Sequence, residues 1–228
     1  MLITRIKASN FYGIKDPIEV VFTEGGEKEK IGYANLGKER VSLISGFYGA
    51  NASGKSTILN VIDTIIRIML SRQQEFILDP NGIKQETLIL VPNYQIDMKS
   101  KPSIMEIDFI VDGNKYNYLI SITNEGKEIL EEVLYKNSKR VFDRKNQNVS
   151  LDSKIATNMG NIAKKIVAPK KSSFLSVILD DSSDISVFGN LKEEVGISEL
   201  KQIKNKLCFI TDKRSVQMDK ITYRGFLL

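Results

Sequence analysis

Residues 49–56 hold two glycines at a fixed spacing, followed by a lysine and a serine. They match the pattern G-x-x-x-x-G-K-[ST] without a mismatch, which is the Walker A phosphate-binding loop. The motif requires a strand before the loop and a helix after it. Residues 41–45 are short and apolar, which is typical of a buried parallel strand, and a long apolar run follows Lys55. The sequence therefore predicts a nucleotide-binding unit.

Each residue type in the loop has a predicted role at a bound nucleotide. Gly49 and Gly54 let the backbone approach phosphate oxygens, and successive N–H groups form an anion site at the helix N-terminus. Lys55 adds a positive charge at the β- and γ-phosphates. Ser56 Oγ is the predicted ligand of Mg²⁺, and the Thr57 hydroxyl can reach the α-phosphate. The predicted nucleotide-binding residues are Gly49, Ala50, Asn51, Ala52, Ser53, Gly54, Lys55, Ser56 and Thr57.

The composition restricts the chemistry that this chain can perform. Its 228 residues are 42% hydrophobic, which is enough to build a core. The absence of histidine removes the commonest general base, the usual zinc ligand and imidazole-based nucleophilic catalysis. A single cysteine and the lack of a signal-peptide or transmembrane pattern predict a cytoplasmic protein without membrane contact. The net charge of +5 permits nucleic-acid binding without showing it.

Alternating apolar residues predict a β-hairpin at the start of the chain. Residues 2–9 and 18–22 alternate with the two-residue period of half-buried strands, and Asn10-Phe11 begins the connection between them. The polar residues 23–40 indicate a surface loop before the Walker strand. From Lys55 to about Arg72 the apolar positions follow helical spacing and cover nearly the whole circumference of the predicted helix. This helix is therefore expected to be buried between layers of sheet.

The β pattern is clearest between residues 87 and 150. A strand candidate at 87–91 is followed by two hairpins, with turns at Asp112-Gly113 and at residues 136–139. This region is predicted to be a four-strand antiparallel insertion after the loop helix.

The alternation within the insertion also predicts which side chains face the core. Phe109 is expected to pack on the nucleotide lobe, and its neighbour Asp108 is expected to face solvent. The same period places four side chains of the second hairpin on one face, which are Ile129, Glu131, Val133 and Tyr135.

The pattern becomes helical from residue 153. A basic amphipathic helix is predicted at 154–167, a helix capped by Ser172 or Ser173 follows it, and residues 197–206 are a further helix candidate. The predicted domains are a nucleotide-binding lobe at 1–152 and a helical segment at 153–228 that belongs to a longer ATPase domain.

A P-loop ATPase also needs an acidic residue at the end of an apolar strand, the Walker B position. Residues 175–181 qualify through Asp180 and Asp181, and residues 207–212 qualify through Asp212. The first segment is better explained as an amphipathic helix with a serine cap, and the second as a strand that ends in a solvated aspartate. The catalytic residues are therefore unknown.

The order of these features resembles the first half of ABC-type ATPases of the SMC/RecF/OLD branch. The opening hairpin, Asn10-Phe11, the Walker A loop and the β insertion follow one another from Met1 to about Ser183. Similar patterns occur in bacterial AAA-family (ABC-like) ATP-binding proteins of phage-defence and abortive-infection systems. The resemblance implies an α/β P-loop NTPase, in the form of an ABC-ATPase-like head lobe with a mixed sheet, an N-terminal β-hairpin, an antiparallel β insertion and a following helical segment.

The resemblance also implies a mode of action. Two head domains close face to face on two nucleotides, so the expected cofactors are ATP and Mg²⁺ and the expected form is a homodimer or larger assembly, with an effector protein such as a nuclease or toxin as partner. Lys55 and Ser56 take the phosphate and Mg²⁺ roles, and Asn51 lies near the γ-phosphate. Two features depart from the family: Tyr12 and Gly13 stand where members often have a basic residue, and there is no L-S-G-G-Q-like signature.

Two other functions agree with the same motifs. A non-hydrolysing ATP-binding interaction module needs only the Walker A loop. A compact GTPase or nucleotide kinase also carries this loop, but the sequence has no N-K-x-D motif and the β insertion does not suit those folds. Basic stretches at 136–145, 163–165, 170–171 and 201–206 are candidates for contact with DNA or RNA, although solvated turns and helix faces have the same composition.

Overall fold

The computed structural model describes residues 1–26, 28–50, 53–70, 100–123, 128–179 and 191–196, and the backbone of Phe76–Leu78 and Lys84–Glu86. Its strands, in chain order, are β1 (Leu2–Ser9), β2 (Ile18–Val21), β3 (Thr23–Gly25), β4 (Tyr33–Asn35), β5 (Glu39–Ser42), β6 (Phe76–Leu78), β7 (Lys84–Glu86), β8 (Ser103–Val111), β9 (Asn114–Ile122), β10 (Ile129–Lys136), β11 (Lys139–Lys145) and β12 (Asn148–Leu151). Its helices are α1 (Lys55–Met69), α2 (Ser153–Met159) and α3 (Phe174–Leu179), with a 3₁₀ helix at Gly160–Lys165, and residues 191–195 are also helical. This mixed α/β architecture confirms the predicted fold class.

The large sheet has seven strands in the order β12-β11-β10-β9-β8-β1-β2, and its neighbouring strands are antiparallel. Because β1 lies between β2 and β8, the opening hairpin and the insertion form one continuous sheet. Both predicted features are confirmed, and β12 adds a further strand to the insertion. The strand candidate at residues 87–91 lies outside the described residues.

The connection between β1 and β2 is fastened to the start of β8. Asn10 is buried and has a left-handed backbone with φ 51°. Its side-chain amide donates to the carbonyl of Lys101 over 2.7 Å, and Ser103 Oγ donates to the carbonyl of Asn10 over 2.6 Å. The ring of Phe11 is fully buried in the core. The Asn-Phe pair therefore stabilises the junction between the hairpin and the insertion.

Residues 23–42 contain a small antiparallel sheet in the order β3-β5-β4, instead of the predicted surface loop. An ion pair between Arg40 on β5 and Glu24 on β3, at 3.0 Å, links two of its strands. The parallel strand predicted at residues 41–45 is also wrong. β5 ends at Ser42, and both of its pairings are antiparallel.

Helix α1 supplies the centre of the hydrophobic core. Its buried side chains recur at helical spacing, and they are Val61, Ile62, Ile65, Ile66, Ile68 and Met69. They pack against the inner face of the large sheet, through β8, and against α3. The predicted burial is confirmed, but one of the two layers around α1 is a helix and not a sheet.

A β-bulge changes which side chains of β10 face the core. The pairing with β9 shifts register between Ile129 and Glu131. One extra residue in a strand moves every later side chain to the opposite face. Ile129 therefore shares the inner face with Glu132 and Leu134, which are fully buried, whereas Tyr135 is 36% exposed. The predicted grouping of Ile129 with Glu131, Val133 and Tyr135 is wrong for this reason.

The helical region follows the prediction only in part. α2 and the 3₁₀ helix replace the single helix predicted at 154–167. The predicted serine cap is present, because Ser173 Oγ accepts the N–H of Ser176 over 3.2 Å at the start of α3. The helix candidate at 197–206 lies outside the described residues. In the described part of the chain, no helix is long and apolar enough to cross a membrane.

Candidate nucleotide-binding site

The candidate site is the loop that connects β5 to α1. Beyond Ser42 the chain runs through Leu43 and Ile44, whose side chains are 43% and 62% exposed. Ser42 Oγ donates to the carbonyl of Ile44 over 2.6 Å, which holds this stretch against the end of β5. Further along, the ring of Phe47 meets Phe22 edge to face, with 6.5 Å between the ring centroids. The loop thus begins from an anchored segment.

Two glycines give the loop its shape. Gly54 immediately precedes α1 with φ 88° and ψ 6°, a left-handed conformation that side chains other than glycine adopt only with strain. Gly49 has φ 155°, and a Cβ atom there would lie 2.9 Å from Ser53 Oγ. A side chain at either position would therefore disturb the turn that leads into the helix.

The Lys55 ammonium lies at the centre of the described part of the loop. Lys55 Nζ donates to the carbonyls of Gly49 at 3.0 Å and Ala50 at 2.6 Å, and to Ser53 Oγ at 3.3 Å. The loop thus curls around one positive charge supplied by the first residue of α1. Phosphate oxygens accept hydrogen bonds as these loop oxygens do, and they also carry negative charge. The Lys55 ammonium is therefore suited to bind a phosphate that enters the loop.

The N-terminus of α1 adds to the positive potential of the loop. Helix geometry leaves the N–H groups of Lys55, Ser56 and Thr57 without intrahelical acceptors. Among the described residues, no side chain caps this end of the helix, and its first turn contains no acidic residue. Ser56 is exposed and Thr57 is half-buried. A nucleotide phosphate fits this donor set, and the Ser56 hydroxyl is suited to a Mg²⁺ ion that keeps most of its other oxygen ligands from water and phosphate.

The structure brings together some of the predicted site residues. Gly49, Ala50, Ser53 and Gly54 surround or precede the Lys55 ammonium, as described above. Asn51 and Ala52 lie outside the described residues, as do the three aspartates considered for the Walker B position, Asp180, Asp181 and Asp212. Residues 174–179 are helical. Among the residues that the structure describes, no cluster of three or more Asp, Glu, His or Cys side chains could hold a metal ion.

A buried polar cluster surrounds Glu132, whose side chain is fully buried on the inner face of β10, and no sequence pattern indicated it. Its carboxylate accepts the backbone N–H of Phe174 at 2.7 Å and of Leu175 at 3.0 Å, and also accepts Ser173 Oγ at 2.7 Å. Arg144 Nη1 lies 3.2 Å from Glu132 Oε2. The carboxylate thus caps α3 from the neighbouring sheet.

The cluster extends from Glu132 in two directions. Arg144 also donates to the carbonyls of Asn146, Pro169 and Ser172. The Tyr118 hydroxyl donates to Glu132 Oε1 over 3.0 Å. Burial, followed by the negative charge of Glu132, raises the pKa of Tyr118 well above its ordinary value. The alternation of side chains does not reveal the bulge in β10, and it is the bulge that turns Glu132 inward.

A second charged cluster lies on the outer face of the large sheet. Arg5 on β1 binds three carboxylates, which belong to Asp108 at 2.7 Å, Glu106 at 2.5 Å and Glu19 at 3.1 Å. Asn117 on β9 donates to Glu106 over 2.7 Å and also bonds Asp108. Asp108 faces outward as predicted, but its carboxylate is bonded by Arg5 and Asn117. It is one of the groups that join β1, β8 and β9.

Comparison with known proteins identifies the family. Residues 44–180, more than half of the chain, match the family described as "AAA domain, putative AbiEii toxin, Type IV TA system". The match includes the Walker A loop, α1, the insertion and α3. No curated protein matches the sequence. The phosphate loop at the start of α1 and the extent of this match together show that the chain belongs to this family of AAA domains, which are nucleotide-binding P-loop ATPase domains.

Proposed function

We propose that the chain binds Mg-ATP in the loop at residues 49–57. The observation that carries the proposal is the position of Lys55, whose ammonium is enclosed by loop oxygens at an uncapped, non-acidic helix N-terminus. On binding, phosphate oxygens would replace the carbonyls of Gly49 and Ala50 as partners of the ammonium. The backbone N–H groups of the first helical turn would donate to the same phosphates, and Ser56 would hold Mg²⁺, which neutralises charge on the β- and γ-phosphates.

Calorimetric titration of Mg-ATP into the 228-residue chain tests this binding. Lys55→Ala removes the charge at the phosphates, so the affinity should fall tenfold or more, which corresponds to at least about 1.4 kcal/mol. Lys154→Ala is the matched control, because it removes an exposed lysine at the start of α2. Equal affinity of the wild type and Lys55→Ala would refute the proposed site, provided that both proteins melt at the same temperature.

We propose further that the bound nucleotide controls assembly, in the manner of ABC-type heads of the SMC/RecF/OLD branch. The resemblance of the hairpin, loop and insertion to that branch supports the idea. The family description names a toxin of a toxin–antitoxin system, which agrees with a role in phage defence through an effector such as a nuclease or toxin. Sedimentation of the chain with and without a non-hydrolysable ATP analogue tests it, since a monomer at all nucleotide concentrations would contradict nucleotide-driven dimerisation.

A non-hydrolysing ATP-binding module is the second candidate function. It needs only the binding roles that we propose for the described residues of the loop. A compact GTPase or nucleotide kinase is disfavoured, because the seven-stranded antiparallel sheet continues directly from β1 into the insertion.

A further inference from the structure

Two β-turns lie side by side at one end of the large sheet. The β8–β9 turn contains Asp112 and Gly113, and the β10–β11 turn contains Asn137 and Ser138, with positive φ at all four residues. Consecutive positive φ values are the geometry of tight two-residue hairpins. Both turns lie at the same end because β9 pairs with both β8 and β10.

Direct hydrogen bonds lock the two turns together. The backbone N–H of Asn137 donates to the carbonyl of Lys115 over 2.7 Å, and the N–H of Lys115 donates back to Asn137 Oδ1 over 2.9 Å. Asn137 Nδ2 also donates to Asn114 Oδ1 over 2.8 Å. Residues 112–115 and 136–140 are therefore one fixed surface, which we call the hairpin tip.

The hairpin tip carries an excess of positive charge, with four basic residues and one acidic residue, Asp112. Lys115, Lys139 and Arg140 are exposed. Lys136 is half-buried, with its ammonium 5.7 Å from the centroid of the Tyr116 ring. Arg140 Nη1 lies 3.3 Å from Asp143, so part of its charge is balanced. Because the backbone of the tip is already fixed, only these side chains lose conformational freedom when they bind a polyanion.

A groove of about 540 Å³ opens beside the hairpin tip. Lys115, Asn117, Tyr135 and Ser138 line it on the tip side. Tyr135 is 36% exposed and lies opposite Asn117 on β9 and Arg140 on β11. The groove thus offers an aromatic ring together with amide and hydroxyl groups, next to the exposed cations. Its other charged lining residues are Arg5, Asp108 and Glu39, and Arg5 is shared among three carboxylates, so the positive charge of this surface lies at the hairpin tip and not in the far wall of the groove.

We propose that the hairpin tip and its groove bind a single strand of nucleic acid. Proteins that bind single strands combine cations along the phosphate backbone with aromatic side chains on which bases stack. Lys115, Lys139 and Arg140 contact phosphates, Tyr135 stacks on a base, and Ser138 is placed to bond a base edge. The carboxylate side chains of an acidic polypeptide would use the cations but would not stack on the exposed aromatic ring. The surface includes no residue of the phosphate loop, so it is independent of the proposed nucleotide site.

Fluorescence anisotropy with a labelled oligothymidylate tests the proposal on the full chain. A length of about 20 nucleotides exceeds the ~4–16 that typical single-strand sites cover. Tyr135→Leu should weaken binding about tenfold, in the range that base stacking supplies, while leaving the salt dependence unchanged. Tyr135→Phe keeps a ring and should bind like the wild type.

The phosphate contacts have a separate signature. The double variant Lys115→Gln with Lys139→Gln should lower the slope of log affinity against log salt by about 1.4, since each contact to a single strand contributes about 0.7. Lys154→Gln with Lys170→Gln removes the same charge from exposed sites outside the tip and should keep the wild-type slope. Thermal melting of each variant checks that the fold is retained.

The proposal is overturned if the wild type binds no oligothymidylate at low salt, or if Tyr135→Leu binds as tightly as the wild type. It is equally overturned if the control double variant loses as much salt dependence as the tip variant. An oligoglutamate peptide bound as tightly as the oligonucleotide would also overturn it and would indicate an acidic protein partner.

Discussion

Glu132 and Arg144 face each other across β10 and β11 as a fully buried ion pair, with 3.2 Å between Glu132 Oε2 and Arg144 Nη1. Both groups have further partners: the carboxylate caps α3, and the guanidinium binds the chain that precedes α3. Since α3 packs on α1, the helix that begins at the phosphate loop, the pair stabilises the layer behind the candidate nucleotide site.

The first prediction concerns the loss of one partner of this pair. Glu132→Ala leaves the Arg144 charge buried without its counter-ion and leaves two N–H groups of α3 without an acceptor. The free energy of unfolding should fall by about 3–5 kcal/mol, the usual cost of breaking a buried pair. Urea denaturation monitored by circular dichroism measures it. Glu131→Ala, one residue earlier and only half-buried, should cost less than about 1 kcal/mol. Equal losses of stability in the two variants would contradict the assignment of Glu132, and not Glu131, to the inner face of β10.

The second prediction is a loss of stability at high pH that depends on Tyr118. In the unfolded chain its hydroxyl ionises near pH 10, whereas in the folded protein burial and Glu132 raise its pKa well above 10. The folded state then holds a proton that the unfolded state releases. The stabilising contribution is complete below about pH 10, and it declines above that pH by up to about 1.4 kcal/mol per pH unit.

Urea midpoints measured between neutral and strongly alkaline pH test this sign. Tyr118→Phe removes the titrating hydroxyl, so its stability should fall less steeply with rising pH than that of the wild type. Tyr48→Phe, at a side chain that is 92% exposed, is the control and should keep the wild-type slope. A Tyr118→Phe slope equal to that of the wild type would refute the linkage.

The sequence predicted those parts of the fold that depend on local pattern. The alternation in β8 and β9, the turn at Asp112-Gly113 and the helical spacing in α1 are all set by residues close in the chain, and the structure confirms them. In β1 the predicted alternation holds only beyond the bulge between Ile3 and Arg5. The serine cap of α3 was predicted for the same reason. The Walker A pattern predicted a loop that leads into a helix, because the motif fixes residue types at short spacing, and the structure has such a loop before α1.

The features that were missed depend on pairing between distant residues. The bulge between Ile129 and Glu131 adds one residue that the alternation does not show, and it carries Glu132 into the core. The small sheet forms from polar residues with no alternating pattern. The contact between Arg5 and Asp108 joins residues far apart in the chain and becomes visible only when β1 pairs with β8.

The third prediction ranks three substitutions around β8. Phe109→Asp places a charge at a side chain that is 1% exposed and should prevent folding. Asp108→Lys replaces a partly buried partner of Arg5 with a like charge and should cost about 2 kcal/mol, which is typical of a lost hydrogen bond to a charged group. Glu29→Lys makes the same charge change at an exposed residue and should be nearly silent. Melting temperatures check the order, and equal values for Asp108→Lys and Glu29→Lys would show that the Arg5 cluster contributes nothing.

The fourth prediction concerns the turn before α1. Gly54→Ala forces a β-carbon into a left-handed conformation, which costs about 1–2 kcal/mol. Space is not the cause, since no atom of the described residues would lie within 4 Å of a Cβ added to Gly54. Gly13→Ala is the control, because that glycine also has open space around it and is not left-handed. Gly54→Ala should lower both the urea midpoint and the affinity for Mg-ATP, and a variant as stable as Gly13→Ala would contradict the strained turn.

The last prediction is that the 228-residue chain by itself binds Mg-ATP but does not turn it over above background. The groups brought together at the loop, above all Lys55 and the first N–H groups of α1, stabilise the bound ground state. Binding that is equal in the ground state and the transition state lowers no barrier. Hydrolysis also needs an acidic group that orients water, and the sequence offers only weak candidates for it. Steady-state phosphate release at saturating Mg-ATP measures the turnover, with Lys55→Ala as the background.

Two further variants test the acidic candidates for the Walker B position directly. In each variant aspartate is replaced by asparagine, which removes the negative charge and keeps the size of the side chain. One combines Asp180→Asn with Asp181→Asn, and the other is Asp212→Asn. Turnover of about 1 per second is the low end of typical enzyme rates. If the chain reached that rate and lost it in one of these variants, the segment concerned would be a true Walker B strand and the chain a complete ATPase. Background release that rises only when a second protein is added would instead support a site completed by a partner, because the missing acidic or signature groups would then come from that protein.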